Sequence, residues 1–137
     1  MNRILIAFDG SQAAGKAFSV GMDLAEHYNA EVLVLAVARP PEFGGEVETE
    51  AVIENSKKHC ESILRPLRTV ADAGKRTVNF EIAVGHPDDQ IVRRANEWQA
   101  ELIVVGHRGN GVLGGLMIAS VAKHVMHHAK CSVLVAR

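Results

Sequence analysis

Five short apolar runs, each cut off by turn-forming residues and separated from the next by a stretch of helical periodicity, leave this chain few folds to adopt. The runs are Ile4-Leu5-Ile6-Ala7-Phe8, Val32 to Val37, the alternating Val78, Phe80, Ile82 and Val84, Leu102 to Val105, and Ser132 to Ala136. They read as strands. Between the first two, Ala14, Ala17, Phe18, Gly21, Ala25 and Tyr28 recur at helical spacing, predicting a helix over Gln12–Tyr28 that Asn29 stops. A longer pattern from Val47 to about Ala73 runs through Ala51, Ile63, Leu64, Leu67 and Val70 and ends at Gly74; Pro66 is expected to kink or split it. Asp88 and Asp89 open a third helix with Ile91, Val92, Ala95 and Trp98 inward, and a fourth runs from about Met117 to His128. Strands alternating with helices in this way demand a parallel sheet with helices on both faces.

Composition agrees. The 137 residues suffice for one domain with one real core, and 47% are hydrophobic while only 4% are aromatic. The apolar mass is Val, Ile, Leu and Ala, as strands covered on both faces require. A net charge of −1 provides no global field to recruit nucleic acid or a membrane surface. Its distribution is uneven: residues 102–137 hold four Lys or Arg and no acid, so the remainder of the chain carries −5. A cationic final third suggests an anion site, although exposed lysines also serve solubility alone. Cys60 and Cys131 form no CxxC or other metal spacing, and two free thiols are expected rather than a disulfide. The opening MNRILIAF lacks the form of a signal peptide and no apolar stretch is long enough to span a bilayer, so a cytoplasmic protein is expected.

In open α/β sheets ligands bind beyond the carboxyl ends of the strands. Four segments fall there: Asp9-Gly10-Ser11, the loop after Val37, Gly85-His86-Pro87, and Gly106 to Gly115 with five glycines in ten residues. A glycine-rich loop between a buried strand and a helix suits an anion, because backbone N–H groups and the helix dipole converge on it. A flexible connector is the alternative. Gly106 to Gly111 has Walker A spacing, but Val112 and Leu113 follow where Lys and Ser or Thr belong. Gly109 to Gly114 spells GxGxxG, yet it follows the fourth strand and no acid lies downstream to hold a ribose.

A third pattern, Gly106-x2-Gly109-x9-Ala119-Ser120, resembles the G-x2-G-x9-G-[ST] signature of ATP-binding universal stress proteins. The resemblance extends along the chain through ILIAFDGS, GHPDDQIVRRA, ELIVVGHRG and SVAKHVMHHAKCSVLVAR. It implies one universal stress protein domain over residues 1–137: a doubly wound, open, parallel five-stranded α/β sheet ordered 3-2-1-4-5, with helices on both faces. It further implies an ATP-binding regulatory protein with Mg²⁺ carried on the nucleotide, at most slow hydrolysis, no catalytic residues, and a homodimer through the last strands.

The nucleotide-binding residues that the resemblance implies are Asp9, Val37, Val105, Gly106, Arg108, Gly109, Ala119, Ser120 and Val121. Gly106, Gly109 and Ser120 would cradle phosphates, with the N–H groups of Ser120 and Val121 pointing there from a helix start. Ser120 is otherwise an ordinary N-cap. Asp9 would act on nucleotide or Mg²⁺, and is otherwise a turn residue. Val37 would meet adenine through its backbone, and is otherwise core. His107 and Arg108 could reach phosphate, Arg108 being the permanently charged one. Ala119 stands where the signature has Gly, which raises a second reading: an interaction protein of this fold that has lost nucleotide. A third, a small adenylating enzyme, would want an added catalytic domain or a Ser-Gly-Gly-rich loop after the first strand, where this chain has Asp-Gly-Ser-Gln. His124 and His128 share a helix face, but with no nearby acid they are expected to complement the helix dipole rather than hold zinc.

Overall fold

A computed structural model describes residues 1–107 and 116–137, with side chains in the last helix described from Ser120 onward. The elements are β1 (Arg3–Ala7), α1 (Gln12–Tyr28), β2 (Glu31–Ala38), α2 (Glu46–Ala73), β3 (Val78–Val84), α3 (Pro87–Trp98), β4 (Leu102–Gly106), α4 (Leu116–His128) and β5 (Ser132–Ala136). The strands form one sheet in the order β3-β2-β1-β4-β5, every pair parallel. Ile4 of β1 lies level with Val32 of β2 on one side and Leu102 of β4 on the other.

The central strands are buried on both faces, and the period of two sorts their side chains into two cores. Ile4, Ile6, Val32, Val34 and Val104 pack with Ala17, Phe18 and Ala25 of α1 and Cys60 and Leu64 of α2. Leu5, Leu33, Leu35, Ile103 and Val105 pack with Ile91 and Ala95 of α3 and Ala122 and Val125 of α4. The expected doubly wound sheet is therefore present, with α1 and α2 on one face and α3 and α4 on the other.

Local signals set the element ends. Ser11 caps α1, its Oγ accepting the Ala14 N–H at 3.1 Å. Asn29 ends α1 in the left-handed region at φ 54°, a conformation that Asn tolerates better than most residues. Pro87 starts α3, where its missing N–H costs nothing.

The second helix departs from expectation. It runs unbroken through Pro66. The carbonyl of Ser62, which Pro66 leaves without its helical donor, belongs to an exposed residue that water reaches, while buried Leu64 keeps the helix on the sheet. Ala51 and Val70 are exposed rather than core; the buried residues are Cys60, Leu64 and Ala71. Length explains part of this. The helix has 28 residues and its neighbour β2 has 8, or roughly 42 Å against roughly 26 Å. Its first turns therefore overhang the carboxyl edge of the sheet. The expected free thiols are present, Cys60 buried and Cys131 half-buried.

Candidate functional site

Beyond the carboxyl ends of β1, β2 and β4 lies a cavity of about 270 Å³. The chain crosses from β3, at one edge, over to β4 on the far side of β1, so this is the point where strand order reverses. Ala7 of β1 lines it with Phe8 and Asp9 just beyond, Leu35 and Val37 of β2 with Arg39 just beyond, and Val105 and Gly106 of β4. Ala14 enters from α1, Ser56 and His59 from α2, Pro87 and Ile91 from α3, and Val121 from α4.

Asp9 is held by the turn that begins α1. Its Oδ1 accepts the Ser11 N–H at 3.0 Å, and Gly10 between them takes φ 84°, a region open to glycine at little cost. Gly106 is required for packing as well as position. A Cβ there would lie 2.8 Å from the carbonyl carbon and 2.9 Å from the oxygen of Ala13, backbone atoms of the first turn of α1. The β4 terminus and α1 can be this close only without a side chain.

Of the sequence-implied residues, Asp9, Val37, Val105, Gly106 and Val121 meet in this one cavity. Arg108 and Gly109 lie outside the described residues, as does the side chain of Ala119. Ser120 is exposed and occupies the fifth position of α4, which begins at Leu116. It is therefore neither an N-cap nor a helix start. The first four N–H groups of a helix have no partner within it, and those of Ser120 and Val121 come after them, inside the ladder. The His107 N–H is also committed: it donates to the Ala136 carbonyl at 2.7 Å, extending the β4–β5 ladder.

Sequence reasoning did not select Arg39, Ser56, His59 or Ile91. Arg39 and Pro87 lie in segments already assigned to the ligand-bearing edge, so a signal for them existed. Ser56 and His59 had none, because only the overhang of α2 brings them over the cavity.

The described charged groups also tie α3 to its surroundings. Arg94 grips Glu81 of β3 with two parallel bonds, Nε to Oε2 at 2.6 Å and Nη2 to Oε1 at 2.8 Å. Those hydrogen bonds hold the Glu81 carboxyl below its usual range, against partial burial, and raise Arg94. At the other end of α3, Asp88 and Asp89 approach His124 of α4 at 3.6 and 3.3 Å. The expectation that no acid lies near the α4 histidines is thus corrected: acids distant in sequence arrive because α3 and α4 share one face of the sheet.

A parallel sheet ordered 3-2-1-4-5 with a cavity at its switch point defines a doubly wound α/β protein of the kind that binds ligands at that edge. The family model described as "Universal stress protein family" matches residues 1–137. The chain belongs to the universal stress protein family. It is 30% identical to a universal stress protein of Methanocaldococcus jannaschii, over 98% of this chain and 81% of that one. Its fold superposes on the universal stress protein UspA of Lactobacillus plantarum with a TM-score of 0.89 at 23% identity, covering 99% of this chain and 97% of the other. A universal stress protein solved in complex with cAMP gives a TM-score of 0.76 at 24% identity, covering 99% and 97%. No helix among the described residues is long and apolar enough to cross a membrane.

Proposed function

We propose that this protein binds ATP, with Mg²⁺ on the nucleotide, in the switch-point cavity and acts as a cytoplasmic regulatory stress-response protein rather than as an enzyme built for turnover. One observation carries the reading: Asp9, Val37, Val105, Gly106 and Val121, brought from separate elements, line a single cavity. The residues suit the ligand. Leu35, Val37, Val105, Ile91 and Val121 offer an apolar slot for a base, and Asp9 offers a hard oxygen for Mg²⁺. At about 270 Å³ the cavity is close to the ~300 Å³ lower end of small-molecule sites, a size for base and sugar with phosphates directed toward the segment after β4. A fold neighbour solved with cAMP adds support for an adenine nucleotide. Turnover is expected to be slow, because the chain has no Walker lysine to stabilise a transferring phosphoryl group. β5 is an edge of the sheet, and a homodimer through it would cover an apolar strand.

The test is calorimetric titration of nucleotide-stripped protein with Mg-ATP, alongside AMP and cAMP. Micromolar binding to the wild type, weakened at least about tenfold in Asp9→Ala, is expected. The Gly-to-Ala departure at position 119 favours one rival, a non-binding interaction protein. In that case the wild type gives neither heat nor a thermal shift, and Ala119→Gly restores both. Silence from the wild type and Ala119→Gly alike rejects a nucleotide site of any kind.

A further inference from the structure

We propose that Asp88, Asp89 and His124 form a binding site for a divalent transition-metal ion, bridging α3 to α4 beside the cavity and separate from any Mg²⁺ carried on nucleotide. One donor atom from each of the three residues can be chosen so that all lie within 4.8 Å of one another. The two carboxylates come from the first turn of α3 and the imidazole from the second half of α4, so the cluster joins two elements rather than decorating one.

The geometry around His124 calls for a cation. Its Nδ1 lies 3.6 Å from Asp88 Oδ2 and its Nε2 lies 3.3 Å from Asp89 Oδ1. A neutral imidazole has one N–H and one lone pair. With both nitrogens facing carboxylate oxygens, one of the two approaches sets a lone pair against a negatively charged oxygen. A metal ion between one ring nitrogen and the carboxylate facing it replaces that contact with two coordinate bonds. Both separations exceed the ~2.7–2.9 Å of a charge-assisted hydrogen bond. A metal ion takes one ring nitrogen, and the 3.3 Å from Nε2 to Asp89 Oδ1 is close to the ~3.4 Å edge of a tetrahedron built on ~2.1 Å metal bonds.

The surroundings hold these groups in place. Asp88 Oδ1 accepts the Asp89 N–H at 2.9 Å, leaving Oδ2 toward His124. The His124 ring stacks on His128 with centroids 4.1 Å apart and planes 20° from parallel. His128 Nδ1 sits 2.9 Å from the His124 carbonyl oxygen, which can only accept, so that nitrogen carries a proton. The dipole at the α3 N-terminus disfavours a cation by about half a charge, which two carboxylates outweigh. A nitrogen ligand with two oxygens selects zinc, cobalt or nickel over magnesium, which prefers oxygen alone.

The experiment uses untagged full-length protein, stripped of nucleotide, titrated with Zn²⁺ by calorimetry and with Co²⁺ by visible absorption. One equivalent of tightly bound metal is expected, weakened at least about tenfold in each of Asp88→Asn, Asp89→Asn and His124→Ala, and unchanged in His127→Ala. Affinity should fall as pH drops from about 7.5 to about 5.5, since protons compete for the same atoms. Co²⁺ should also broaden the His124 ring-proton resonances in the wild type, a readout that needs no variant. Absence of saturable binding overturns the proposal. Binding that survives all three triad substitutions, or that leaves the His124 signals sharp, overturns it equally. Because no nucleotide is added, loss of the ATP reading would not change any of these results.

Discussion

The two faces of the sheet are covered by helices held in different ways. On one, α1 and α2 dock on the strands through apolar contact, drawn close by small residues: a Cβ on Gly21 would lie 2.4 Å from Ile6 Cδ1 and 2.7 Å from its Cγ1. On the other, α3 and α4 also have an apolar core, but polar contacts add to it: Arg94 of α3 grips Glu81 of β3, and Asp88 and Asp89 of α3 face His124 of α4. The first face is determined by volume, and should fail by cavity or by overpacking regardless of pH. The second adds the Glu81–Arg94 pair, whose strength follows the protonation of Glu81. The cavity is lined from both faces, by Ala14, Ser56 and His59 on one and Ile91 and Val121 on the other.

The comparison breaks most visibly at Leu64, fully buried under α2. Leu64→Ala should cost about 2–5 kcal/mol in urea unfolding, by the same amount at neutral pH and at about pH 4. A strongly pH-dependent loss would mean that the first face is not governed by volume. Next is Gly21→Val, which drives a branched side chain into fully buried Ile6 and should cost about 2–3 kcal/mol, again independent of pH.

Arg94→Ala sharpens the contrast with a smaller effect. The pair is part-exposed, with 28% and 39% of the Arg94 and Glu81 side chains accessible, so the loss should be only about 0.5–1 kcal/mol at neutral pH. The folded Glu81 is lowered by its bonds to Arg94. Its contribution is therefore fully present above the unfolded value of about 4.3 and is lost as pH falls through the lower folded value. Wild type and Arg94→Ala should converge in stability at acid pH, and a gap that stays constant would remove Glu81 from the account.

The smallest effect concerns the thiols, one in each core. Burial, aided by Glu61, pushes Cys60 up, and burial also pushes Cys131 up. Both should resist a thiol reagent at neutral pH in the native protein. Cys131, half-buried where Cys60 is 4% exposed, should label first. Prompt labelling of Cys60 would show that the α2 face opens more readily than its packing suggests.

What the sequence determined by itself was local. The period of two in Val78–Val84 and the helical spacing of Ala14, Phe18 and Ala25 report which side of an element is buried, and that is enough to find every strand and helix to within a few residues. Turn residues at the ends of the apolar runs marked the ligand-bearing edge, and the family resemblance singled out Asp9, Val37, Val105, Gly106 and Val121, four of them at or beside strand ends and Val121 inside α4. The same signals overreached where exposure depends on length: Ala51 and Val70 fit the helical stripe of α2, but fall outside the core, Ala51 in the overhanging part of a helix longer than the sheet beneath it. The tertiary structure alone decided which elements meet. The overhang put Ser56 and His59 over the cavity, the close approach of β4 to α1 gave Gly106 a packing role, and the shared face of α3 and α4 brought Asp88 and Asp89 to His124 across more than thirty residues. Periodicity records the burial of a residue but not the identity of what covers it. That identity follows from the order of strands in the sheet and the path of each crossover, which are properties of the whole chain.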